Sequence, residues 1–313
     1  MAKIKALITG ACGQDGTILS DLLLEKGYQI FGLRLRSDKS EYLSKEVELI
    51  EGDLGDKVSL VEALKTRPNE VYNLAAMSSV KESYVHPEKA GDINGIGVVR
   101  LLEACRAIDP MPKFYQAGSS EMFGQAPAPQ NERTPFHPRS PYGCSKAYAY
   151  YMVANYRQSY RMFACNGICY NHESQRRPPD FVSQKIVQGV AAIKTGRMSK
   201  LSLGNLDSQR DWGHASDYCR AMWLMLQHSR PDDYVVATGI PHSVRELAEI
   251  AFSRVGLDYE KYVIVDPSLM RPADVECLIG DYSKAKRILG WEPKITFEEM
   301  VAEMVDVAME KEK

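Results

Sequence analysis

Tyr142 and Lys146 stand four residues apart, a spacing that a helix turns into two side chains on one face. An ammonium close to a phenol lowers its pKa, so Tyr142 can act as a base near neutral pH, and Lys146 can also hold the ribose of a nicotinamide cofactor. Alone, such a pair is more often two surface neighbours. Ser119, just after a candidate strand, completes a Ser-Tyr-Lys set that suffices to oxidise a secondary alcohol by hydride transfer to a nicotinamide. Glu121 adds a second acid or base, which is what removing a proton α to a newly made ketone requires. Its bland alternative is a structural acid paired with an arginine.

Upstream, Gly10, Gly13 and Gly16 form a G-x-x-G-x-x-G turn directly after the first apolar strand. Glycines let backbone amides approach a pyrophosphate, and the following helix N-terminus offers unpaired N–H groups and a positive dipole end. The spacing resembles the short-chain dehydrogenase/reductase superfamily in its extended form. At the end of the second strand an acid would bind a ribose 2′-hydroxyl, whereas arginine accommodates a 2′-phosphate. Here Arg34 and Arg36 precede any acid, so NADP is expected rather than NAD. Asp53-Leu54 falls where this superfamily contacts adenine, and Leu74-Ala75-Ala76 closes a strand beside the cofactor.

The elements needed to position these groups are visible as short β-branched runs alternating with amphipathic stretches. Strands are predicted over 4–9, 29–34, 47–51, 70–74 and 113–117, with helices over 15–26, 57–66 and 93–108. The expected α/β fold is a doubly wound parallel sheet of the Rossmann, extended short-chain dehydrogenase type, with a smaller mixed α/β C-terminal domain. Residues 1–170, with 211–240 returning, form the NADP-binding domain. Residues 171–210 and 241–313 form the nucleotide-sugar-binding one. In that half, helices are predicted over 181–195, 216–228, 243–255, 283–289 and 297–310, and strands over 200–203 and 233–237.

Composition removes several classes of function. A net charge of -2 gives no dense basic surface for nucleic acid. No run of about 18 apolar residues reads as a membrane span, and the first residues lead into a strand rather than a signal peptide, so a cytoplasmic protein is expected. Seven scattered cysteines without a CxxC pair suit reduced thiols, and six dispersed histidines suggest no metal site.

With these residues placed, the chain resembles the GDP-mannose 4,6-dehydratases over roughly residues 6 to 300. The resemblance rests on Gly13-Gln14-Asp15-Gly16, Val71-Tyr72-Asn73-Leu74-Ala75-Ala76, Phe114-Tyr115-Gln116-Ala117 and Pro138-Arg139-Ser140-Pro141-Tyr142-Gly143. Asn171-His172-Glu173-Ser174, Arg210-Asp211-Trp212-Gly213-His214-Ala215 and Met222-Trp223-Leu224-Met225-Leu226 extend it. It implies a redox-neutral loss of water from GDP-mannose through C4 oxidation, C5 deprotonation with departure of the C6 hydroxyl, and hydride return to C6. It also implies that Gln14, Asp15, Ser78, His172 and Arg177 contact NADP. Ser79, Glu121, Asn171, Lys185, Arg210 and Arg271 would hold the GDP-sugar.

Four departures from the family pattern stand out. Met77 replaces a glutamine, the segment 37–48 is short, Gln175 replaces a proline, and Pro178-Pro179 replaces a glycine-containing stretch. The short segment belongs to a region that in the family joins subunits, so a homodimer is expected ahead of a homotetramer. The Ser-x-Glu pattern also resembles nucleotide-sugar decarboxylases. A GDP-sugar reductase or epimerase, a dehydratase of a GDP-heptose, and a catalytically silent NADP-binding scaffold are the rival readings.

Overall fold

The computed structural model describes residues 3–39, 41–270 and 277–312. In chain order, the first half contains β1 (Lys5–Thr9), α1 (Gln14–Glu25), β2 (Gln29–Arg34), β3 (Glu48–Glu51), α2 (Lys57–Leu64), β4 (Glu70–Asn73), α3 (Val80–Val85), α4 (Pro87–Gly91), α5 (Gly97–Arg106), β5 (Lys113–Ala117) and α6 (Pro141–Tyr160). The second contains β6 (Ala164–Cys169), β7 (Asn171–Glu173), α7 (Val182–Lys194), β8 (Leu201–Leu203), β9 (Gln209–His214), α8 (Ala215–Gln227), β10 (Asp233–Val236), β11 (Pro241–Ser243), α9 (Val244–Arg254), β12 (Val263–Val265), β13 (Cys277–Leu278), α10 (Ser283–Leu289) and α11 (Phe297–Glu310).

Seven strands form one parallel sheet in the order β10-β6-β5-β4-β1-β2-β3. Successive side chains point to opposite faces, and both faces are covered, so the strands read as nearly continuous apolar runs. Ile8, Tyr72 and Tyr115 face α1 and α8 through Leu19, Leu23 and Met222. Leu7, Val71 and Phe114 face α2, α5 and α6 through Leu60, Leu101 and Val153. Fully burying a side chain such as Phe114 contributes about 1.5–3 kcal/mol.

A second core gathers Ile186 and Val190 of α7, Phe252 of α9, and Met300 and Met304 of α11 around Trp212. Its strands are β11-β9-β13 with β7 beside β9, and a separate β8-β12 pair. The doubly wound sheet and the smaller C-terminal unit match expectation. One boundary differs: Leu278, Ala285 and Trp291 join the core on the α1/α8 face, so the stretch from 278 to 291 packs on the sheet rather than in the second unit. Trp291 fixes this by donating its indole N–H to the Asp217 carbonyl at 2.8 Å. The helix predicted over 93–108 begins instead as a π-helical turn, Asp92–Ile96, before α5.

Candidate active site

The glycine turn sits at the carboxyl end of β1. Gly10 has φ +68°, and a Cβ there would lie 2.9 Å from the Ala75 backbone, so only glycine lets the turn close onto the end of β4. Gly13 precedes α1 and offers no side-chain cap, which leaves the helix's first N–H groups available to an anion. In front of them opens a cavity of about 430 Å³, a size typical of small-molecule sites. Its walls include Gly10, Gly13, Gln14, Asp15, Gly16, Arg34, Asp53, Leu54, Leu74, Ala75, Ala76, Ser78 and Arg177. All of these are residues the sequence nominated. Arg34 stands at the end of β2 with a buried Nε that has no hydrogen-bond partner among the described residues, a donor suited to a phosphate oxygen.

Four nominated cofactor residues are not on that wall: Tyr142 and Lys146, which belong to the corner described below, and Arg36 and His172. Arg36 falls in the turn after β2, which throws its side chain outward; it is 87% exposed and pairs with Glu51 at 3.0 Å. His172 does not line the cavity. Its ring stacks on Tyr218, with Nδ1 against the Tyr170 carbonyl and Nε2 2.8 Å from Asp15, so it braces Asp15 from behind. Burial disfavours charge on both partners, but their attraction wins. Asp15 is held down to about 2, and His172 is raised.

The four nominated catalytic residues meet at the neighbouring carboxyl ends of the sheet. Ser140 caps α6 by accepting from the Gly143 amide at 3.0 Å, and Pro141 fits the first turn, so Tyr142 and Lys146 share a face. A Cβ on Gly143 would lie 2.6 Å from the Glu121 carbonyl; its absence lets α6 close on the segment carrying Ser119 and Glu121. The Ser119 hydroxyl and the charges of Glu121 and Arg177 all bear on the Tyr142 phenol, and Ser119 Oγ accepts from the Glu121 amide at 3.2 Å. Lys146 lies 5.7 Å from the centre of the Tyr142 ring and donates to the Ala117 carbonyl at 2.8 Å.

Burial corrects one expectation here. The sequence predicts a phenol made acidic by its lysine, yet desolvation pushes Tyr142 up to about 12 despite Ser119 and Arg177. Burial also pushes Lys146 down to about 8, against the charges of Cys169 and Asp15. In the free protein Tyr142 therefore keeps its proton.

The nominated sugar-nucleotide residues are more dispersed. Asn171 opens β7 opposite Trp212, and buried Arg210 on β9 donates to the Gln209 carbonyl at 2.8 Å. Ser79 spends its hydroxyl capping α3. Lys185 lines a second cavity between α7 and α11, away from the cofactor cavity, and its charge acts on Asp266. Arg271 lies outside the described residues.

Sequence reasoning missed Asp38, Lys89, Ile93 and Phe181 on the cofactor cavity's wall, where Phe181 carries the Arg177 guanidinium 3.6 Å above its ring. It also missed Asn94 in the π-helical turn. That amide accepts from the Met77 N–H at 2.8 Å and donates to the Met77 carbonyl at 3.1 Å, so the backbone at 77 is held whatever its side chain. A helical pattern with one extra residue leaves no spacing signal for such a turn.

Among the described residues no helix is long and apolar enough to cross a membrane, and no cluster of three or more His, Cys, Asp or Glu is placed to hold a metal.

A family model described as GDP-mannose 4,6 dehydratase matches residues 7–304. GDP-mannose 4,6 dehydratase 1 of Arabidopsis thaliana is 49% identical over 323 residues, covering 97% of this chain and 90% of the plant protein. The Homo sapiens GDP-mannose 4,6 dehydratase is 45% identical over 340 residues, covering 97% and 91%. Among solved structures, a Thermus thermophilus UDP-glucose 4-epimerase in complex with NAD superposes with a TM-score of 0.88 at 29% identity, covering 97% of this chain and 99% of that one. A nicotinamide-binding sheet with a Ser-Glu-Tyr-Lys corner is what the fold and the site present, and the chain belongs to the GDP-mannose 4,6-dehydratase family.

Proposed function

We propose that the chain is a lyase that converts GDP-mannose to GDP-4-keto-6-deoxymannose with NADP as its cofactor. The observation that carries this reading is that Gly143, next to Tyr142 at the start of α6, packs so closely on the Glu121 carbonyl that a Cβ there would lie 2.6 Å from it, which brings Glu121 and Tyr142 from different segments into one corner. When bound, the nicotinamide supplies a positive charge and a hydride acceptor that returns the hydride to the sugar. Tyr142, helped by Ser119, takes the proton of the C4 hydroxyl once positive charge beside it offsets its burial. Glu121 takes the C5 proton, acidified by the C4 ketone, and delivers a proton to the C6 hydroxyl so that it departs as water. Lys146 holds the nicotinamide ribose.

Arg34 at the cavity, with its buried unpaired Nε, favours a 2′-phosphate and hence NADP over NAD. Arg177 serves the cofactor, and Asn171, Lys185 and Arg210 the GDP end of the substrate, where arginine suits phosphate oxygens. The assembly is a homodimer. Exposed Ile96, Tyr148 and Tyr151 leave an apolar surface beside α5 and α6, whereas Tyr42 in the short β2–β3 connection is spent on Arg176 and Lys311 of its own chain.

The test is turnover of GDP-mannose with substoichiometric NADP, read by mass spectrometry. Dehydration gives a product lighter by one water without net NADPH; a stoichiometric nicotinamide demand would instead mark a reductase. Glu121→Gln should slow dehydration about 10²–10⁴-fold with cofactor binding intact. Wild-type turnover in that variant removes Glu121 from the mechanism.

A further inference from the structure

Across the carboxyl ends of β1, β4 and β5 runs a chain of hydrogen bonds for which the chemistry above has no use. The Leu74 and Ala75 amides donate to Thr9 Oγ1 at 3.1 and 3.0 Å, and Thr9 Oγ1 donates to Asn73 Oδ1 at 2.6 Å. Asn73 Nδ2 donates to Gln116 Oε1 at 2.8 Å, and Gln116 Nε2 donates to the Ala117 carbonyl at 3.0 Å. That carbonyl is the one that accepts from Lys146 Nζ at 2.8 Å. Thr9 and Asn73 are fully buried, and Gln116 is 1% exposed.

Each link dictates the next. Two amides occupy the acceptor side of the Thr9 hydroxyl, so its proton goes to Asn73 Oδ1, and the Asn73 amide must turn its NH₂ toward Gln116. Gln116 is then left with its own NH₂ facing Ala117. A carbonyl has two lone-pair sites; with one filled by Gln116, a single direction remains for the ammonium. The same peptide leads through Gly118, whose amide donates to the Gly167 carbonyl at 2.7 Å, into Ser119. Holding Ala117 therefore holds both partners of Tyr142, and a buried network in low dielectric resists reorientation.

We propose that Gln116 is a positioning residue that aims the Lys146 ammonium, with Asn73 and Thr9 setting its amide. The proposal rests on the reading that Lys146 serves the Tyr142 chemistry. Cys169 on β6 and Asp15 on α1 also act on Lys146, and Ser119, Glu121, Arg177 and Cys169 act on Tyr142, but none of them bonds Gln116.

A double-mutant cycle tests it. Single-turnover dehydration of GDP-mannose by the full chain with NADP is measured for wild type, Gln116→Leu, Lys146→Met and the pair. Gln116→Leu should cut the rate about 10–100-fold with KM for GDP-mannose unmoved, as misaimed catalytic groups do. In the Lys146→Met background the same change should cost almost nothing, because the group it aims is gone. Gln116→Glu keeps the acceptor for Asn73 while losing the donor to Ala117; it should behave alike, and it carries the cycle should the leucine variant fail to fold. Penalties that multiply, or Gln116 variants as fast as wild type, overturn the proposal alone. Wild-type speed in Lys146→Met would instead bring down the reading of Lys146 beneath it.

Discussion

The cofactor cavity and the catalytic corner beside it are built by opposite means. The cavity's floor is local backbone: three glycines, a strand end and a helix N-terminus within seven residues, presenting N–H groups that need no tuning. In the corner, side chains from α6 and from the segment after β5 are pushed together and dried, so their chemistry is set by what surrounds them. Spacing alone places the first. Burial rewrites the second, carrying Tyr142 up to about 12 and Lys146 down to about 8.

The largest effect that sharpens this contrast is expected for Tyr142→Phe, which should lower kcat about 10²–10⁴-fold while NADP affinity, measured by titration, stays as it was. A parallel loss of cofactor affinity would erase the division between the two regions. Next comes the arginine pair. Arg34→Ala should weaken NADP binding about 10–100-fold relative to NAD, on the scale of a lost charged hydrogen bond, while exposed Arg36→Ala leaves both affinities within about twofold. Equal effects from the two would contradict the placement of Arg36.

The smallest concerns the brace behind the cavity. Asp15, held at about 2 against an ordinary 3.8, contributes stability that is full above pH 3.8 and lost as the pH falls through 2. His172, raised above 6.5, contributes stability that is full below 6.5 and lost as the pH rises through its folded value. The pair is therefore strongest between about pH 4 and 6.5. His172→Phe should cost on the order of 2 kcal/mol at pH 5, measured by denaturant unfolding, and less at pH 9. A cost independent of pH would reduce His172 to packing.

The sheet was legible where apolar residues gather in short runs, as Ala6-Leu7-Ile8 in β1 and Ile30-Phe31 in β2. Strand β6, Ala164–Cys169, escaped because Asn166 and Gly167 break its run. Asn166 is there for a tertiary reason: its Nδ2 donates to Asp233 at 2.8 Å, an acid that also binds Arg157 and Tyr150. A polar residue whose partner lies 67 positions away looks, in one dimension, like a loop residue. The site shows the same division. Tyr142 and Lys146 were readable because one helix turn relates them, whereas Asn94 and Gln116 matter through Met77 and Asn73, which lie on other segments.

What the residues alone determined is everything that short-range geometry decides: the glycine turn, the i, i+4 pair, the capped start of α6 and the alternation that makes a parallel sheet, since each follows from bond lengths and dihedral preferences within a few residues. Only the tertiary structure decided which nominated groups face the cavity, why Arg36 and His172 do not, and how far each proton is held. Those outcomes depend on desolvation and on charges brought together from distant segments, and neither quantity exists until the chain has closed on itself.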